Sequence, residues 1–144
     1  DRDAEAAESP ALIVTRLPDH WLNRTLGALA SGPGHPVSRR LRSGDEVGSF
    51  QVLETPGHSA GHIAFWRPAD RVLILGDVLA NTVPGTNLAF LREPPRLFTP
   101  DPILNRQSAR ALARLEPALI CFGHGPPLRD TDKFLTFVNS LRDP

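Results

Sequence analysis

Thr55-Pro56-Gly57-His58-Ser59-Ala60-Gly61-His62 is the segment around which the other parts of this chain arrange themselves. The apolar run Phe50-Gln51-Val52-Leu53 precedes it and Ile63-Ala64-Phe65-Trp66 follows, which predicts strand, sharp loop, strand. Loops between strands present side chains to ligands instead of packing them away. Gly57 and Gly61 permit close backbone approach, so both imidazoles can point into one small space. Neutral imidazole is a good ligand for zinc and similar metals. Two loop histidines with ordinary hydrogen bonds are the competing reading of these eight residues.

Two further segments bear on that choice. Arg71-Val72-Leu73-Ile74-Leu75 reads as a buried strand and ends in Gly76-Asp77. A carboxylate just past an apolar strand is costly unless it is solvated, paired or bound to metal. Ala118-Leu119-Ile120-Cys121-Phe122 is another short apolar strand and ends in Gly123-His124-Gly125. Taken singly, Asp77 would be a turn residue and His124 a satisfied loop histidine. Three strand ends that each deliver a metal-capable group argue for one shared site.

These three segments resemble the metallo-β-lactamase-fold hydrolase superfamily, in order and in spacing, from about Val37 onward. The resemblance implies an α/β (α+β) fold: part of an αββα sandwich, a mostly antiparallel sheet with flanking helices. It implies His58, Asp77 and His124 as metal ligands, with Asp77 bridging two ions. His62 is similar to the second loop histidine of the family, which sits near the site without ligating; with Asp77 it belongs to the groups expected to serve the reaction. Asp77 stands where zinc β-lactamases carry a cysteine, so the likeness is to the glyoxalase-II-like hydrolases. The implied reaction is hydrolysis of an ester or thioester of a small-molecule substrate by metal-activated hydroxide. The implied cofactor is zinc, two ions, with iron or manganese as alternatives. A mononuclear iron oxygenase on the same fold and a non-catalytic interaction or structural domain are the rival readings.

The chain departs from that family in one respect. The upstream His-x-His-x-Asp-His motif, which supplies two ligands to each metal, is absent: the five histidines are His20, His35 and the three already named. Methionine is absent too, and Asp1 to Ser9 is helix-forming from its first residue. The expectation is a carboxyl-terminal part of a hydrolase, inactive alone, whose partner is the missing upstream half of the domain.

Composition sets the remaining bounds. A chain of 144 residues with 40% hydrophobic and 22% charged residues is ordinary for one globular domain. Sixteen basic residues balance 16 acidic ones and are scattered, which argues against nucleic acid or an anionic membrane as partner. No apolar run approaches the ~18 residues that span a bilayer, and a cytoplasmic location is the expectation. The single cysteine, Cys121, excludes an internal disulfide and is expected to be buried and inert.

In chain order, residues 1–36 read as a helical lead-in, with helices over 1–9 and 19–30. Residues 37–78 read as a strand meander carrying the metal loop, beginning with a strand over Val37 to Leu41. Residues 79–100 read as an irregular loop whose Leu88, Phe90, Leu91, Leu97 and Phe98 either line a pocket or pin the loop down. Residues 101–144 read as helix, strand, helix. The first helix is capped by Asp101, with Ile103, Ala109, Leu112 and Leu115 as partial core contacts; the last is capped by Asp130 or Thr131 and turns Phe134, Leu135, Phe137 and Val138 inward. One sheet without its partner sheet would leave Val52, Ile63, Phe65, Val72 and Ile74, or their alternating neighbours, open to water. That predicts a homodimer of the chain through this face, the alternative being that residues 1–36 or the Leu79–Pro100 loop fold over it.

Overall fold

The computed structural model describes residues 37, 39–86 and 88–143. The chain divides into two compact units, Asp1–Arg40 and Leu41–Pro144, and every element below belongs to the second. The helices expected over 1–9 and 19–30, with His20 and His35, lie outside the described residues.

Strands β1 (Glu46–Val47), β2 (Phe50–Glu54), β3 (Ile63–Arg67) and β4 (Val72–Gly76) form an antiparallel meander, and β7 (Leu119–Phe122) joins β4 in parallel. The direction change at β7 requires a crossover, because a parallel neighbour cannot be reached by a tight turn. Helix α1 (Pro102–Ala113) lies on that crossover, and α2 (Thr131–Ser140) follows β7. Asp101 and Asp130 cap them, accepting from Leu104 N at 2.9 Å and from Lys133 N at 2.8 Å. Each cap satisfies a backbone donor that the first helical turn leaves open.

Register assigns the two faces of the sheet. Leu53 pairs with Ala64, Trp66 with Leu73, and Leu73 with Ile120. This row meets Ala109, Leu112, Phe134 and Val138 of the helices in the core. Each fully buried Leu or Phe there contributes about 1.5–3 kcal/mol. The opposite row pairs Val52 with Phe65, Phe65 with Ile74, and Ile74 with Cys121. That face is not uniformly open: Val52 and Val72 are buried, whereas Ile74 is 37% exposed. Cys121, expected to be buried, is only half-buried on this face.

Three further expectations need correction. The described residues of the Val37–Leu41 segment form no strand. Val37 is largely exposed, and arginines at 39, 40 and 42 leave the segment no apolar face to pair. The 79–100 segment is not structureless. It folds into a two-stranded ladder, β5 (Ala80–Asn81) with β6 (Leu91–Arg92), and a 3-10 turn at Arg96–Phe98. Leu79 and Leu91 are core residues, so this segment is pinned at its start and at β6. In α1, Ile103 is 43% exposed, and the buried positions are the apolar Ala109, Leu112 and Ala113 together with the polar Asn105, Arg106 and Ser108.

Candidate metal centre

Strand directions explain why the three singled-out segments meet. In the meander β2 and β4 run the same way, and β7 runs parallel to β4. The carboxyl ends of β2, β4 and β7 therefore lie on one edge, followed by the 55–62 loop, Asp77 and His124 respectively. His58 Nε2 lies 3.8 Å from Asp77 Oδ2, and His124 Nε2 lies 3.6 Å from Asp77 Oδ1. One carboxylate thus faces a histidine with each of its oxygens. Oδ1 of Asp77 is buried without a hydrogen-bond partner among the described residues. Gly123 makes this approach feasible, since a methyl group at that position would collide with Asp77 Oδ1.

Hydrogen bonds fix the tautomers of the two loop histidines. Thr99 Oγ1 spends its only proton on Pro95 O at 3.1 Å. It must therefore accept from Nδ1–H of His58, 3.4 Å away, which leaves Nε2 of His58 with its lone pair toward Asp77. Burial pushes His58 below the usual histidine range, and His124 adds to this, against a pull upward from Asp77. A neutral imidazole is the form a metal takes. His62 is committed differently: its Nε2 accepts from the backbone N–H of Asp77 at 3.1 Å, so Nδ1 carries the proton and donates to Thr55 Oγ1 at 2.7 Å. Burial, and next the neighbouring His58, hold His62 below its ordinary value. With both nitrogens engaged, His62 has no lone pair to offer an ion; it orients the residue that does.

The loops themselves are clamped by residues that no motif marks. Asn105 and Asp101 sit under Gly57: Asp101 N donates to Gly57 O at 3.1 Å, and Ser108 Oγ donates to Pro56 O at 2.7 Å. Gly57 has φ +128°, and a side chain there would strike the Asn105 backbone. Asn81, 2% exposed, donates from its backbone N to His124 O at 2.9 Å and from Nδ2 to Pro126 O at 2.8 Å. These positions carry no signal in the sequence beyond a polar residue where a helix or strand should bury an apolar one.

The donors present fit a metal in part. Two ligands on one tetrahedral ion at about 2.0–2.1 Å are about 3.3 Å apart, and both histidine–carboxylate spacings are slightly longer than that. An unpartnered, buried carboxylate oxygen is also what a cation would satisfy. Yet among the described residues no three His, Cys, Asp or Glu side chains converge on one point to hold an ion. Each oxygen of Asp77 and its facing histidine amount to two candidate donors.

Residues 4–124 match the metallo-beta-lactamase superfamily, and the chain belongs to it; its mostly antiparallel sheet with two helices matches solved structures of that fold. Among its relatives is "Probable metallo-hydrolase YflN" of Bacillus subtilis (strain 168), 36% identical over 105 residues, covering 64% of this chain and 39% of the relative. A hydroxyacylglutathione hydrolase of Fuscovulum blasticum is 37% identical over 94 residues, covering 62% of this chain and 33% of the relative. Among solved structures, the metallo-beta-lactamase family protein TTHA1429 of Thermus thermophilus aligns with TM-score 0.58 at 26% identity, over 94% of this chain and 44% of that one. TTHA1623, solved in a di-iron-bound form, aligns with TM-score 0.57 at 29% identity, over 89% and 55%. The chain thus spans well under two thirds of the length of the relatives it matches.

Proposed function

We propose that this chain carries part of the active site of a metal-dependent hydrolase acting on an ester or thioester. The observation behind the reading is the Asp77 carboxylate, whose oxygens each face a histidine nitrogen at 3.6 and 3.8 Å while one of them is buried and unpartnered. The metallo-hydrolase and hydroxyacylglutathione hydrolase relatives support the same reaction class. His58 and His124 would hold metal through Nε2, and Asp77 would bridge two ions and offset their charge. A bound ion supplies a Lewis acid that brings the pKa of water toward ~7. Thr99 holds His58 in the ligating tautomer, Asn81 holds the backbone that presents His124, and His62 fixes the position of Asp77.

Zinc is the proposed metal, and the di-iron form of TTHA1623 makes iron the second to test. Metal uptake by the 144-residue chain, measured by competition with a chromophoric chelator, tests the site. We expect weak binding that Asp77→Ala removes; uptake by Asp77→Ala equal to the parent would reject the bridging role. Two tightly held ions with thioester turnover would instead overturn the expectation that the chain is inactive by itself. The incomplete set of donors favours a second reading, a non-catalytic domain: no metal uptake at all would support it.

A further inference from the structure

We propose that the cavity beside His124 binds a carboxylate carried by the substrate, with Arg92 as the recognising group. The proposal rests on the hydrolase reading for the word substrate, but the pocket is argued from its own geometry.

Arg92 and His124 line one cavity of about 790 Å³, together with Thr82, Thr86 and Phe98. That is the size of a small-molecule site. Among the described residues no Asp or Glu lines it. A guanidinium has five N–H donors in a rigid fork. Arg92 uses two of them on neutral backbone carbonyls, Nε to Thr82 O at 2.9 Å and Nη1 to Glu93 O at 3.2 Å. Both donors on Nη2 and the second on Nη1 have no partner among the described residues. The nearest acid in sequence, Glu93, does not neutralise Arg92: Arg106 holds it with bonds of 2.7 and 3.1 Å. Arg92 at the wall of this cavity is therefore a cation anchored on backbone carbonyls, with no acidic partner among the described residues.

Its placement is tied to the metal-capable residues. Arg92 pairs across the β5–β6 ladder with Ala80, three residues past Asp77, and the next pair, Asn81 with Leu91, includes the residue that clamps the His124 loop. The ladder thus ties the cation to the segment that follows Asp77 and to the residue that clamps the His124 loop. A planar carboxylate can take two of the free donors at once, which a neutral group of similar size cannot do. Phe98 and the threonines provide a wall for the adjoining chain of the substrate.

Two thioesters of similar size test this: S-acetylthioglycolate, which carries a carboxylate, and S-acetyl-2-mercaptoethanol, which carries a hydroxyl. Each is titrated into the ¹⁵N-labelled, metal-free 144-residue chain while the Arg92 Nε–H and the Thr86 and Gly125 amide signals are followed. The carboxylate compound should shift these signals saturably and bind at least tenfold more tightly than the neutral one. Arg92→Gln should bring the two to parity, and Arg92→Lys should recover part of the preference. Equal binding of the two compounds by the parent chain, which needs no variant, would overturn the proposal; so would an undiminished preference in Arg92→Gln. The hydrolase reading fails separately. A metal-loaded protein that hydrolyses neither thioester but retains the carboxylate-specific shifts loses that reading and keeps the pocket. One that hydrolyses both without preference and shows no selective shifts loses the pocket and keeps the reaction.

Discussion

His62 shows how much of this centre is decided one atom at a time. Its two ring nitrogens are spent on Thr55 Oγ1 and on the Asp77 N–H. Its ring also occupies the space beside Gly76, where φ is +59° and a side-chain carbon would come within 2.8 Å of Nε2. Removing the ring unties Asp77 without removing a metal-capable group. His62→Ala should therefore lower metal affinity about 10–100-fold, the usual scale for a residue that orients a ligand. His62→Gln, which can still accept from the Asp77 N–H, should recover part of it. A loss as complete as that of Asp77→Ala, with no recovery in His62→Gln, would mean that His62 ligates after all. Gly57→Ala addresses the other loop anchor. The added methyl meets helix backbone that cannot swing aside, so we expect a loss of at least about 2 kcal/mol in chemical denaturation. A denaturation midpoint equal to the parent's would show that the loop shifts freely over α1.

At the scale of elements, α1 is a clamp as much as a core helix. Its buried polar face joins three segments: Ser108 binds Pro56 O, Asn105 Nδ2 donates to Val78 O at 2.9 Å, and Arg106 holds Glu93. Asn105 is 1% exposed, so Asn105→Ala leaves a buried carbonyl without its donor. That costs about 1–3 kcal/mol, read as a shift in the denaturation midpoint with an unchanged slope. The exposed pair of Arg67 with Asp70, 2.7 Å apart, is the contrasting case. Asp70→Asn should leave the midpoint where it is, because screened surface pairs contribute little. A larger effect from Asp70→Asn than from Asn105→Ala would reverse this ranking.

For the whole molecule, the open question is what meets the sheet face opposite the helices. We expect the isolated chain to self-associate there, as a two-fold dimer. The drive is weaker than a fully bare sheet would give, because Val52 and Val72 are already buried and Ile74 carries much of the exposed apolar surface of the row. Sedimentation velocity at rising concentration checks this. A species that stays monomeric throughout the micromolar range would end the dimer proposal, and Ile74→Lys should shift a real dimer toward monomer. Among the described residues no helix is long and apolar enough to cross a membrane.

The three metal-capable positions were legible in the sequence because each follows a short apolar strand, and strand ends are marked locally by Gly-His, Gly-Asp and Gly-His. The helix caps Asp101 and Asp130 were legible for the same reason: a cap is a contact within four residues. The clamps were not. Asn81, Thr99, Asn105 and Ser108 are polar residues whose partners lie 41 to 52 positions away in three cases and 27 in the fourth. Nothing near them in the chain distinguishes a buried, paired side chain from a solvated one. Ile103 was misread for the complementary reason, since helical periodicity locates an apolar stripe but not the surface it will meet. The 79–100 segment was misread because its ladder is two residues per strand, too short for alternation to register. Residue order alone therefore determined which groups could carry the chemistry. Only the tertiary structure decided which tautomer each histidine adopts, which of them keeps a free lone pair, and that Arg92 stands in the same cavity, because those depend on contacts between segments far apart in sequence.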